Sequence, residues 1–216
     1  MKQYNWASLG CGVIANELAD ALSKQGRTLY SVANRTHEKA VSFAQKYGIN
    51  KVYECIDDVF TDPDVDIIYI STPHNTHINY LKKALANGKH VLCEKSITLN
   101  INELNEAVSL AQKNNVILAE AMTIYHMPIY KKLNEIISSG QLGKLNLIQV
   151  NFGSYKDYDM TNRFFSRKLA GGALLAFLAG IAGFGTGVQI GVFIVVSILL
   201  LILTRPLAVK YFNQER

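Results

Sequence analysis

The stretch "GCGVIANELADALSKQG", Gly10 to Gly26, decides the fold. It carries G-x-G-x-x-A at Gly10, Gly12 and Ala15, where a strand expected over Tyr4 to Leu9 gives way to an amphipathic helix that stops at Gly26. In such a turn the first glycine permits the tight reversal. The second leaves the backbone bare for close approach, and the small third residue lets helix lie against strand. The opening N–H groups of the helix, those of Val13 and Ile14 among them, have no partner within it and sit at its positive end. A pyrophosphate is the ligand that such a turn accommodates, so strand, turn and helix together predict a dinucleotide site.

Outward from this turn the chain alternates. Thr28 to Ala33 reads as a second strand, Thr36 as the cap of the next helix and Gly48 as its stop. Ile67, Ile68, Tyr69 and Ile70 are continuously apolar, as a strand buried on both faces of a parallel sheet should be. A helix over about 76–87 ends at Gly88, and His90 to Cys93 is a further short strand. Asn100 with Glu103 resembles a capping box, its helix ends near Asn114, and Val116 to Ala119 is another strand. Strand and helix in turn, with short joints, predict an α/β fold with a doubly wound parallel sheet. From Met122 the rhythm loosens. A helix near Ile129 to Ser138 and a strand near Leu145 to Asn151 read as the start of a second domain.

The chain has 216 residues and a net charge of +5. That charge is local. Up to Asp159 there are 16 Lys/Arg and 16 Asp/Glu; beyond it stand Arg163, Arg167, Lys168, Arg205, Lys210 and Arg216 against Glu215 alone. The excess brackets an uncharged run, which is the pattern of a membrane segment with basic flanks and excludes a nucleic-acid face. Cys11, Cys55 and Cys93 are far apart and form no CxxC pair, which fits a reducing compartment and speaks against a structural zinc site. Met1 to Leu9 leads straight into a strand with no leader pattern, so the dinucleotide domain is expected to be cytoplasmic.

An NAD site would place an acid at the end of the second strand, on the ribose 2′-OH. This chain has Asn34 and Arg35 there. An arginine meets a 2′-phosphate instead, which favours NADP while leaving NAD open.

The stretch "STPHNTHINYLKKALANGKHVLCEKSITLN", Ser71 to Asn100, resembles the Gfo/Idh/MocA oxidoreductases. Their pattern is a Thr-Pro loop, a following His, then Gly-Lys-His-Val and Glu-Lys-Pro. The resemblance runs over about 4–175, through "EAMTIYHMPIYKKLNEII" and "GKLNLIQVNFGSYKDY" to "NRFFSRKLAGGALL". It implies that Thr72, Pro73 and His77 lie near the cofactor, that Glu94 and Lys95 sit beside the nicotinamide, and that Lys95 is the catalytic lysine. It also implies oxidation or reduction of a sugar-like alcohol or carbonyl with NADP or NAD. Independently of the family, Lys95 stands at the carboxyl end of a parallel strand, where open α/β sheets bind ligands. The bland alternative is a lysine paired with Glu94 at a loop edge.

The chain departs from the family in two places. Ser96 stands where the family has proline after the lysine. Farther on, the family's aspartate and its Tyr or His fall on Ala176 and Gly180, so the catalytic partners of Lys95 are missing and turnover is expected to be impaired. His74 and His77 are spaced H-x-x-H with no acid or Cys nearby in sequence, and no metal is expected.

After "GGALL" comes "AFLAGIAGFGTGVQIGVFIVVSILLLILTRPLAVKYF", which resembles the membrane portion of NfeD-type proteins over about 172–212. Leu169 to Thr204 is 36 residues without a charge, whereas a span needs about 20. One span from about Gly183, or a short re-entrant hairpin turning at "GFGTG", both fit. The expected organisation is a dinucleotide-binding domain over 1–121, a truncated second domain over 122–172, a hydrophobic segment over 173–204 in contact with membrane lipid, and a basic tail over 205–216. Three functions fit: an oxidoreductase, a membrane-tethered dinucleotide-binding module without turnover, or a chimera of two unrelated sequences.

Overall fold

The computed structural model describes residues 3–147. Six strands, β1 (Trp6–Leu9), β2 (Ser31–Ala33), β3 (Lys51–Val52), β4 (Ile67–Ile70), β5 (His90–Cys93) and β6 (Leu118–Glu120), form one sheet. All five pairings are parallel and the order is β3-β2-β1-β4-β5-β6. The helices are α1 (Val13–Ser23), α2 (His37–Tyr47), α3 (Asp58–Thr61), α4 (His77–Ala86), α5 (Ile101–Lys113) and α6 (Pro128–Ser138). The expected doubly wound sheet is therefore present.

Two cores sandwich the sheet. Ala7, Leu9, Ile68, Ile70, Val91 and Cys93 point to one face, against Val59 and Phe60 of α3, Leu81, Ala84 and Leu85 of α4, and Ala107 and Ala111 of α5. On the other face Val32 meets Ala15 and Ala19 of α1 and Ala40, Phe43 and Ala44 of α2. The small alanines let the helix backbones come close to the strands, as the third position of the glycine motif requires.

Helix ends follow their sequence signals. Gly48 closes α2 at φ 66° and Gly88 follows α4 at φ 72°, both left-handed. Asn100 Oδ1 accepts from Glu103 N at 3.0 Å, as a capping box requires, but the Glu103 carboxylate reaches Leu99 N at 3.0 Å rather than the Asn100 amide. Thr36 stands at the N-cap of α2, yet its side chain caps nothing.

Some boundaries differ from expectation. β2 begins at Ser31 rather than Thr28; the pairing with β1 opens with Tyr30 N to Trp6 O at 2.9 Å. β3 and α3 are additional elements. Leu145 to Leu147 are irregular, so the strand expected there does not begin in them. The rest of that strand lies outside the described residues, as do most of the second domain and the hydrophobic segment over 173–204. Among the described residues no helix is long and apolar enough to cross a membrane.

Candidate dinucleotide site

The sheet reverses direction of growth between β1 and β4, and the crevice at their carboxyl ends is where such sheets take ligands. Ladder bonds continue past the strands. Ser71 N bonds to Leu9 O at 2.9 Å, Glu94 N to Ile70 O at 2.8 Å and Ala121 N to Cys93 O at 2.7 Å. The loops after β1, β4, β5 and β6 thus lie side by side.

Gly10 has φ 110°, and a Cβ there would come within 2.9 Å of Ser71 Oγ. The first glycine is therefore needed for both backbone shape and the close approach of the β4 loop. Gly12 differs. It caps α1 in extended conformation at φ −76°, and a Cβ there meets nothing within 4 Å. Neither conformation nor packing calls for glycine at this position, so the bare backbone faces open space at the start of a helix. Val13 beside it is 72% exposed, and Ile14 is half-buried.

Asn34 donates from Nδ2 to Thr36 O at 2.9 Å, which closes the turn after β2. Arg35 is exposed in that turn. Lys39, one turn into α2, lies close enough to favour the Cys11 thiolate. Burial outweighs it and pushes the Cys11 thiol up to about 11. Two cations, Arg35 and Lys39, thus stand at the β2 side of the glycine turn. Lys39 escapes a reading of sequence because it looks like any solvated helix lysine.

On the other side, Thr72 and Pro73 open a short 3-10 turn over His74–Thr76. Thr76 Oγ1 lies 2.8 Å from Thr72 Oγ1 and donates to Pro73 O at 2.6 Å. His77 is completely buried, so it does not wall the crevice itself. Its Nε2 lies 2.9 Å from Thr72 O and its Nδ1 2.9 Å from Ser96 O, which ties the β4 loop to the β5 loop.

Glu94 Oε1 accepts from Tyr69 OH at 2.6 Å. Burial first, then this carboxylate, holds the Tyr69 phenol far above its ordinary range. Glu94 is thereby committed to Tyr69 rather than to Lys95. Lys95 is half-buried and has no ion-pair partner among the described residues. The peptide joining it to Ser96 is cis. Burial also raises the Cys93 thiol well above its usual range. The glycine turn, the Thr-Pro loop and the Glu94-Lys95 loop form one continuous rim. Tyr69 and Glu120 are further residues of this rim: Glu120 Oε1 accepts from Ile97 N at 2.9 Å. Tyr69 gave no signal inside a run of apolar residues, whereas Glu120 could have been found as an acid at a strand's carboxyl end.

A parallel sheet of this order, with the glycine turn at its switch point, defines a domain of the Rossmann dinucleotide-binding class. Residues 4–122 match the profile of the oxidoreductase family with NAD-binding Rossmann fold, GFO_IDH_MocA, and the chain belongs to that family. Its cofactor is NAD or NADP. The chain is 34% identical over 175 residues to trans-1,2-dihydrobenzene-1,2-diol dehydrogenase of Xenopus tropicalis, which covers 79% of this chain and 52% of the relative. It thus spans about half the length of the curated relatives it matches. An NAD-binding oxidoreductase from Klebsiella pneumoniae superposes with a TM-score of 0.61 at 27% identity, covering 66% of this chain and 40% of that one. A 3-ketoreductase from Actinomadura kijaniata, in complex with NADP and TDP-benzene, gives 0.60 at 25% identity, covering 64% and 43%.

Proposed function

We propose that the chain binds a nicotinamide dinucleotide, NADP at least as well as NAD, and belongs to an enzyme that exchanges hydride with a sugar-like alcohol or carbonyl. The observation that carries this reading is Gly12, a helix cap that is glycine although the chain around it has room for a side chain. The adenosine end then falls toward Asn34, Arg35 and Lys39, where the cations suit a 2′-phosphate. The nicotinamide end falls toward Thr72, Pro73, Glu94 and Lys95. There the Lys95 ammonium would hold the substrate oxygen and stabilise the charge that develops on it as hydride moves. The bound dinucleotide supplies the hydride chemistry; the chain binds and orients. That one similar structure is an NAD-binding oxidoreductase and another holds NADP supports a nicotinamide dinucleotide as the ligand.

Turnover is expected to be low. Ala176 stands where the family's aspartate falls, and losing a positioned general acid or base removes typically 10²–10⁴-fold in rate. Isothermal titration of the full chain with NADP and NAD tests the binding. Heat with NADP at a Kd no weaker than that for NAD is the expected result. Silence with both cofactors overturns the reading. Binding of NAD more than about tenfold (about 1.4 kcal/mol) tighter overturns the role of Arg35.

A second reading concerns the uncharged run. Its length and its basic flanks, Arg167 and Lys168 before and Arg205 and Lys210 after, support a segment over 173–204 that sits in membrane lipid and tethers a cytoplasmic dinucleotide domain.

A further inference from the structure

One peptide unit in the β5 loop is held at both of its polar ends by side chains from two other elements. The unit joins Ser96 to Ile97, immediately after Lys95. Its carbonyl oxygen lies 2.9 Å from His77 Nδ1, at the start of α4. Its N–H donates to Glu120 Oε1 at 2.9 Å, from the last residue of β6. The other ring nitrogen of His77 lies 2.9 Å from Thr72 O, in the loop after β4. A single line of contacts therefore runs from the Thr72 carbonyl through the His77 ring, through the Ser96–Ile97 peptide, to the Glu120 carboxylate. It crosses the carboxyl ends of β4, β5 and β6. On the opposite side of Lys95, the neighbouring Glu94 is fixed by Tyr69 OH at 2.6 Å.

Each contact is buried or half-buried, where a polar group left without a partner is costly. With the His77 proton on Nδ1, the ring donates to Ser96 O and Glu120 accepts from Ile97 N, so the peptide is held at both ends and the direction in which the chain leaves Lys95 is restrained. Chemistry of the kind proposed for Lys95 needs that direction fixed, since catalytic groups must be held within about 0.5 Å of their working position.

We propose that Glu120 is a positioning residue for Lys95, acting with His77 through the Ser96–Ile97 peptide. The inference rests on the reading of Lys95 as the group at the nicotinamide end. Glu120 acts on Lys95 through this peptide; its task is to accept one hydrogen bond. A neutral acceptor of the same length serves as well as a carboxylate, and a shortened or absent side chain does not.

The test uses the full chain with its lysines reductively methylated with ¹³C-formaldehyde, so that Lys95 gives a methyl cross-peak assigned by its loss in Lys95→Arg. Glu120→Ala is expected to displace or broaden that peak, and Glu120→Gln, which keeps an oxygen for Ile97 N–H, to leave it at the parent position. Should Glu120→Ala fail to fold, Glu120→Asp, which withdraws the oxygen but keeps the charge, decides the same question by displacement. A Lys95 peak unmoved in Glu120→Ala or Glu120→Asp overturns the proposal. So does a peak displaced equally in Glu120→Gln, because the charge and not the hydrogen bond would then be at work. The spectra are recorded without cofactor. A parent chain that takes up neither NAD nor NADP would therefore sink the dinucleotide reading separately, while the peaks still judge the tie.

Discussion

Among the described residues a methyl carbon added at Gly12 meets nothing within 4 Å, whereas one added at Gly10 comes within 2.9 Å of Ser71 Oγ at a φ of 110°. The two glycines of one motif thus fail in different ways. Gly10→Ala should destabilise the domain by about 1–3 kcal/mol, the usual cost of a residue held in sparse backbone territory, read as a lower urea midpoint. Gly12→Val should leave that midpoint near the parent value and abolish heat in a titration with NADP. If both variants lose stability alike, Gly12 serves the fold and not a ligand. Cysteine chemistry separates residues in the same way. Burial raises the Cys11 thiol to about 11 and Cys93 further, while Cys55 is exposed. The thiolate is the reacting form, so iodoacetamide at pH 8 should modify Cys55 alone, with Cys11 following only as the pH nears 11. Mass spectrometry of the peptides checks this; rapid labelling of Cys11 at neutral pH would contradict its burial. The glycine motif, the Thr-Pro loop and Lys95 were legible in sequence because each is a local pattern. Tyr69 was not, because what it does depends on Glu94, 25 positions away; Glu120 stands out as an acid at a strand's carboxyl end, but its partner Ile97, 23 positions away, does not.

At the level of elements, the alternation of strand and helix was readable wherever a glycine or a capping residue marked an end. It failed at β3 and α3. β3 is two residues long, too short for any period to show, and α3 is four. What holds that corner is polar. Lys51 Nζ lies 2.6 Å from Asp62 Oδ2, Tyr53 OH donates to the same oxygen, and Asp64 N donates to Oδ1 at 3.0 Å. Lys89, nearly buried, donates to the carbonyls of Asp62 at 2.5 Å and Val65 at 2.8 Å. Burial alone would raise the Asp62 carboxyl, but its bonds from Lys51, Tyr53 and Asp64 outweigh burial and hold it below the ordinary carboxylate range. The folded value lies below the unfolded one. The stability this group contributes is therefore complete above the unfolded value and is lost as pH falls through the folded value. Asp62→Ala removes the shared acceptor of three donors, leaving, among the described residues, Tyr53 OH only Ser31 Oγ at 3.2 Å and Lys51 Nζ only Tyr30 OH at 3.3 Å, and should cost about 1–3 kcal/mol at pH 7 by urea unfolding. Asp62→Asn should flatten the acid limb of the stability curve below pH 4 relative to the parent. An unchanged acid limb would show that other carboxylates govern it.

For the whole molecule, the sheet grows outward from β1 through β2 to β3, then the chain crosses back and adds β4, β5 and β6 on the other side of β1, and the glycine turn marks the strand at that switch. The sequence beyond residue 147 makes a separate physical demand. Leu169 to Thr204 carries no charge, and Val192 to Leu203 has Ser197 as its one polar side chain. A helix on the surface of a globular domain would show a polar face every few residues. Val188 to Leu203 as a helix would be about 24 Å long, short of the roughly 30 Å hydrocarbon layer, whereas a helix from Gly180 would be about 36 Å, long enough to span with tilt. Glycines do not oppose this, being commoner in transmembrane helices than in soluble ones. Basic residues flank both ends, so the bias of Lys and Arg toward the cytoplasm would assign no orientation to such a span. The expectation is that full-length chain expressed in a cell stays with membranes through a carbonate wash and is released by detergent. A chain ending near Leu169 should appear in the supernatant and bind NADP as the full chain does. Full-length protein that is monodisperse without detergent would refute the tether and make the run part of a buried core instead.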